Sequence, residues 1–171
     1  MIVIGLPAIP GETPYEIKKV YLHLKKTNDT LSGIDTVFSA STDKSCDTSI
    51  IDVRSSFQFN QNNSISGSCR KGSIWNAINI PLSNFKTKEG RYSSPITTYR
   101  TLRNYGVKVN KPIIIYDQSG IQASEAYLVL KIAQIDDVTL YDGGWAEYSC
   151  RVPSQSCENM NHIDNHINTL K

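Results

Sequence analysis

The chain has 171 residues, 39% of them hydrophobic, and a formal net charge of +2. That is apolar material enough for one domain with a sizeable core, which excludes a disordered chain. The charge is too small to favour nucleic acid or an anionic membrane surface, and no apolar run approaches the ~20 residues of a membrane-spanning helix.

The opening MIVIGLPAIPGE has no basic n-region and no small-residue cleavage site, so a secretory signal is not expected. Residues 13–26, TPYEIKKVYLHLKK, read as a helix. Thr13 and Glu16 have the spacing of a capping box, and Pro14 suits the first helical position. Ile17, Val20, Tyr21 and Leu24 then fall on one apolar face, suited to packing on the domain or on a partner protein. From residue 49 short apolar runs alternate with helical patterns. SIIDV (49–53), AINI (77–80), PIIIY (112–116) and VTLY (138–141) read as buried parallel strands. FNQNNSISGSCRKGS (59–73) reads as a polar loop insertion. Ser94-Pro95 opens a helix with Ile96, Tyr99, Leu102 and Tyr105 on one face, stopped by Gly106. ASEAYLVLKIAQ (123–134) is apolar nearly all round, as a helix against a sheet is. The alternation predicts an α/β fold with a mainly parallel central sheet and helices on both faces. The expected organisation is an N-terminal extension 1–47 carrying helix 13–26, a domain over 48–150 and a polar C-terminal tail 151–171.

The cysteines (Cys46, Cys69, Cys150, Cys157) form no dense framework and no C-x-x-C pair, so reduced thiols inside a cell are expected. Cys69 heads CRKGS, and adjacent cations favour a thiolate. Even so, an ordinary thiol in a polar loop is the expectation, with an active cysteine as the alternative. Cys150, Cys157, His162 and His166 lie close in sequence and His-x3-His is a zinc-like spacing, but Cys-x6-Cys is longer than the spacing of ~2–4 usual in zinc sites, so no metal or other cofactor is expected, with a zinc site on these four as the alternative. With only His23, His162 and His166 available, no Ser/His/Asp set is expected.

Four segments together resemble the rhodanese-like domains. IIDVR (50–54) is similar to the family's opening strand. KGSIWNAINIP (71–81) is similar to its Gly-His-Ile-Pro-Gly-Ala segment, with Ser73 where His and Asn76 where Gly is usual. PIIIYDQSGIQAS resembles the central strand and active-site loop, and VTLYDGGWAEY (138–148) the closing Asp-Gly-Gly-Trp signature. The resemblance implies structural positions at Asp52, Arg54, Gly72, Asp142, Gly143, Gly144 and Trp145. It places the family's nucleophilic cysteine at Asp117, in a loop Asp117, Gln118, Ser119, Gly120, Ile121 and Gln122. A carboxylate cannot accept and hold sulfane sulfur, and Gln118 and Ser119 stand where active two-domain enzymes carry basic residues. Asp117 can also be read as a residue capping the next helix. The resemblance, with this departure, implies a protein that is not an enzyme but a structural or binding subunit. It would dock on protein partners through helix 13–26 and the tail, in a mitochondrial or otherwise cytoplasmic assembly. The alternatives are a thiosulfate or mercaptopyruvate sulfurtransferase using Cys69, or an anion-binding sensor.

Overall fold

Runs of β-branched residues form one parallel sheet in the computed structural model, which describes residues 30–43, 45, 47–60 and 67–153. The strands are β1 (Ser49–Asp52), β2 (Ala77–Asn79), β3 (Ile113–Tyr116) and β4 (Val138–Leu140), in the order β2-β1-β3-β4. All pairings are parallel, with Ile51 opposite Ile78 and Ile115, and Ile115 opposite Leu140. The helices are α1 (Ile34–Thr42), α2 (Ser56–Asn60), α3 (Pro95–Asn104), α4 (Ile121–Ile132) and α5 (Gly144–Arg151), with a 3-10 turn at Leu82–Phe85.

The two-residue period of the strands divides the core in two. Ile51, Ile113 and Ile115 face one side and pack with Phe85, Leu102, Ala123, Ala126, Val129 and Leu130, which come from the 3-10 turn, α3 and α4. Ile50, Ile114 and Tyr116 face the other and pack with Val37 of α1 and Trp145 and Tyr148 of α5. The α/β fold with helices on both faces is the one the alternating sequence signals predict. Helix α1 lies within the stretch 1–47 read as an extension, yet its Val37 is fully buried and its Ser41 hydroxyl lies 2.9 Å from that of Tyr148. That part of the stretch packs as part of the domain. Helix 13–26 and the tail beyond Pro153 lie outside the described residues.

The helices are less buried than the apolar patterns suggest. Helix α3 begins with Pro95 behind Ser94, whose hydroxyl accepts from the Thr97 amide at 3.3 Å. Only Thr98 and Leu102, one turn apart, are buried. Ile96 is 67% exposed, and Tyr99 and Tyr105 also face outward, because the helix meets α4 and the 3-10 turn along the Thr98–Leu102 line. The face expected from Ile96, Tyr99, Leu102 and Tyr105 is therefore corrected. On α4 the buried line is Ala123, Ala126, Val129 and Leu130, while Leu128 and Ile132 are exposed. Small alanines let this helix lie close to the sheet.

Leu102→Ala is expected to cost about 2–5 kcal/mol in urea unfolding, because it opens a cavity between α3 and α4. Ile96→Ala should stay within about 0.5 kcal/mol. Equal costs would contradict burial along the Thr98–Leu102 line.

Candidate functional site

A parallel sheet sends the carboxyl ends of all its strands to one edge, and the loops beyond those ends gather there. Asp52, Val53 and Arg54 leave β1, Asp117 to Gly120 leave β3, and Tyr141 to Gly144 leave β4. Two glycines let the last two loops touch. Gly120 has φ +86°, and a Cβ on it would come within 2.9 Å of the Asp142 carbonyl oxygen. Gly144 has φ +58°, and its Cβ would come within 2.7 Å of the Asp117 carbonyl oxygen. Neither position accepts a side chain without moving backbone.

The loop 117–122 is organised by the Asp117 carboxylate. Oδ1 accepts from the Ser119 amide at 3.0 Å and from the Gly120 amide, and Oδ2 accepts from the Gln122 amide at 2.9 Å. The side chain is 2% exposed. Gln122 lies in the first turn of α4, whose amides have no partner within the helix, so Asp117 also serves as that helix's cap. The loop's carbonyls point elsewhere: the amides of Trp145 and Ala146 donate to the carbonyls of Asp117 and Gln118 at 2.8 and 3.1 Å. One helix N-terminus thus meets a side-chain anion and the other meets loop carbonyls. Gln118 donates through Nε2 to the Ser68 hydroxyl at 2.7 Å. Ser119, Ile121 and Gln122 are exposed, while Gly120 is buried.

Behind the loop lies a buried ion pair. Arg54 Nη2 meets Asp52 Oδ2 at 2.6 Å, Nε donates to the same carboxylate, and Nη2 also donates to the Gly72 carbonyl at 3.0 Å. The guanidinium carbon stands 5.8 Å from the Tyr116 ring centre and 5.4 Å from that of Trp145. Burial would pull the guanidinium pKa down, but the hydrogen bonds and charge of Asp52 outweigh it and hold it above its ordinary value. Burial, and next the Asp52 charge, push the Tyr116 hydroxyl well above the usual tyrosine range. That hydroxyl accepts from the Ile74 amide at 3.1 Å, so it braces the segment after Gly72. Gly72 has φ +107°, and Asn76 takes φ +59°, a left-handed backbone that asparagine tolerates better than most residues. Asn76 thereby fills a position where glycine would be the easier choice.

Cys69 is not the free thiol expected from sequence. It forms a disulfide with Cys150, 81 residues away, at a Cα–Cα distance of 4.9 Å. Both residues are exposed, and α5 brings Cys150 to the loop. Nothing in the cysteine spacing signals this pair, because only the folded sheet places α5 beside residues 68–72. Cys150 is accordingly committed to sulfur rather than to a metal, and Cys157, His162 and His166 lie outside the described residues. Sequence reasoning also misses Arg70 as a packing residue. Its Nη1 donates to the carbonyls of Ser149, at 3.0 Å, and of Val152, and its guanidinium lies 5.1 Å from the Trp145 ring centre. Its burial lowers its pKa. Among the described residues no group of three or more His, Cys, Asp or Glu is gathered for a metal ion, and no helix is long and apolar enough to cross a membrane.

Comparison with known proteins places this geometry. The sequence pattern of the Rhodanese-like domain matches residues 38–150. Thiosulfate sulfurtransferase of Gallus gallus is 29% identical over 106 residues, covering 62% of this chain and 36% of that protein. 3-Mercaptopyruvate sulfurtransferase of Escherichia coli (strain K12) is 32% identical over 103 residues, covering 60% and 36%. The chain thus spans about a third of the length of these relatives. Among solved structures, the E. coli 3-mercaptopyruvate sulfotransferase gives a TM-score of 0.60 at 27% identity, covering 73% of this chain and 45% of that one. The sulfur transferase subunit of yeast mitochondrial complex I, described as sub-stoichiometric, gives 0.66 at 23% identity, covering 77% and 46%. The expectation that the chain is not an enzyme is overturned, because these relatives are named as sulfurtransferases, which are enzymes. The residue at one loop position does not decide the class of a chain that spans a third of them.

Arg54→Ala leaves the Asp52 carboxylate buried without its cation and is expected to cost roughly 3–5 kcal/mol in chemical unfolding. Removing both charges should cost less than the sum of the two single changes. Strict additivity would show that the pair is not energetically coupled.

Proposed function

The chain belongs to the family of rhodanese-like domains, and on that premise we propose that it is the accessory domain of a sulfurtransferase, binding and positioning rather than carrying sulfur in its own strand-end loop. The observation that carries this reading is the Asp117 carboxylate, held by the amides of Ser119, Gly120 and Gln122 where the family's resemblance puts the sulfur-carrying thiol. A persulfide requires a sulfur atom at that place, and a carboxylate offers none. The loop's donors are already engaged by the chain's own anion, and neither Gln118 nor Ser119 brings a cation to a thiosulfate-like donor. The thiol that plays the part of the family's strand-end nucleophile then comes from a further domain or a partner subunit.

The partner in this proposal is protein, within a larger and mitochondrial assembly. The yeast neighbour with the same fold is described as a mitochondrial complex I subunit, which supports such a role. Helix 13–26 and the tail 151–171 are the proposed docking segments, by their apolar face and polar composition. The test is native separation of a tagged form expressed in its own cell. The protein should migrate in an assembly far larger than the 19.1 kDa of the chain, together with a sulfurtransferase activity. Migration as a lone chain would overturn the accessory role.

The cradle itself is tested by Asp117→Cys. The new thiol should titrate below the ~8.5 of free cysteine and react faster with an alkylating probe near neutral pH, because three amides and the start of α4 favour an anion. The pKa is lowered, so the reactive form persists as pH falls through the range in which ordinary thiols protonate. A thiol titrating at or above the free value would show that the loop does not hold an anion.

A further inference from the structure

We propose that the Cys69–Cys150 disulfide is a second sulfur-handling site, which takes a small sulfur anion such as hydrosulfide and holds it as a persulfide on Cys150. It involves other residues than the Asp117 loop and does not depend on the accessory reading. Both cysteine residues are exposed, which puts the bond at the surface of the fold, where a small nucleophile would meet it. Arg70 and Lys71 follow Cys69 directly, and Lys71 is exposed. Positive charge here draws an anion to a surface that carries no acidic residue in the run Gly67–Asn76.

The surroundings choose which sulfur is attacked. Thiol–disulfide exchange is faster when the departing thiolate is the better stabilised one. A thiolate on Cys69 would lie two residues from the exposed cation of Lys71. A thiolate on Cys150 would lie in the last turn of α5, at the negative end of the helix dipole, where Arg70 is already engaged by the Ser149 and Val152 carbonyls and Arg151 by Glu147. Cys69 is therefore the leaving group. The hydrosulfide sulfur donates an electron pair to Cys150 Sγ and forms a new S–S bond. The Cys69–Cys150 bond breaks, and its pair departs on Cys69 Sγ. The proton stays on the outer sulfur. The disulfide is itself the oxidant, so no other is needed. Cyanide or a thiolate can then remove the outer sulfur, leaving Cys150 as a thiolate and the pair as a dithiol.

The site also keeps its shape once the bond opens. The Cys69 amide donates to the Ser149 hydroxyl at 3.0 Å, and that hydroxyl lies 3.8 Å from Cys150 Sγ. The Arg70 carbonyl accepts from Trp145 Nε1 at 3.2 Å, while Arg70 Nη1 holds the Ser149 and Val152 carbonyls. These contacts do not involve the sulfur–sulfur bond. They keep the two sulfurs as neighbours, so the exchange is reversible and confined to one pair.

The experiment treats the full chain, disulfide formed, with sodium sulfide, then alkylates, digests and locates the added sulfur by mass. The expected result is one added sulfur on Cys150, released by cyanide as thiocyanate, with a rate that falls as salt rises. Lys71→Gln, an exposed change that leaves packing alone, should slow the reaction by a factor on the order of three. The proposal is overturned if the sulfur lands on Cys69 or on both residues equally. It also fails if the folded chain reacts no faster than the same chain unfolded in urea with its disulfide intact, or if the folded chain does not form the bond. None of these results bears on the thiol titration of Asp117→Cys, so the two readings stand or fall separately.

Discussion

Arg54 is a full positive charge with almost no access to water, and the architecture of the strand-end loops depends on how it is neutralised. Its own strand supplies the counter-ion, Asp52, two residues earlier. The remaining capacity of the guanidinium is spread over segments remote in sequence: the Gly72 carbonyl, the Tyr116 ring and the Trp145 ring. One side chain thus joins the ends of β1 and β3, the segment before β2 and the start of α5. A buried ion pair is weak support for stability when weighed against apolar replacements. Here its effect is one of specification, because the four segments meet around it, with Nη2 and Nε hydrogen-bonded and Nη1 buried without a hydrogen-bond partner among the described residues.

On that base the loop after β3 separates its donors from its acceptors. Its amides turn inward to the Asp117 carboxylate, and its carbonyls turn to the first amides of α5. Gly120 and Gly144 make the approach between loops physically available, since a Cβ on either would meet backbone. The cradle and the closing Asp-Gly-Gly-Trp segment are therefore one structure rather than two neighbouring motifs. A change at Gly144 acts on the Asp117 loop as directly as a change within that loop would.

Much of this is legible in the sequence. Asp52, Arg54, Gly72, Gly120, Gly144 and Trp145 carry constraints that are local or written in glycine, and their positions can be read from the four landmark segments. The parallel sheet is legible because its central strands β1 and β3 are buried on both faces and so appear as unbroken apolar runs. The exposed side of α3 is not. Ile96, Tyr99 and Tyr105 have the spacing of a buried face, but which side of a helix is covered depends on the neighbour it meets, and α4 offers α3 only one narrow line. The Cys69–Cys150 pair is illegible for a related reason. Its two halves become neighbours only when α5 folds back over the loop ahead of β2.

The placement of that disulfide gives the last step. A fold of this kind brings the carboxyl ends of its strands and the first turns of the helices that follow them to one edge of the sheet, and an anion is stabilised wherever amides or cations converge. In this chain the convergence at the end of β3 is taken by a carboxylate that cannot leave and cannot exchange. The other convergence, where Arg70 and Lys71 meet α5, holds a sulfur–sulfur bond that can. Ser68 ties the two together through Gln118, one residue before Cys69. Chemistry that the Asp117 loop cannot perform is thus assigned to a pair that adjoins the loop through the Gln118–Ser68 hydrogen bond. Opening the disulfide changes the charge next to Ser68 without disturbing the Asp117 carboxylate, which is fixed by backbone amides rather than by that neighbour. The carboxylate keeps the edge in shape, and the sulfur pair is left as the part of it that can react.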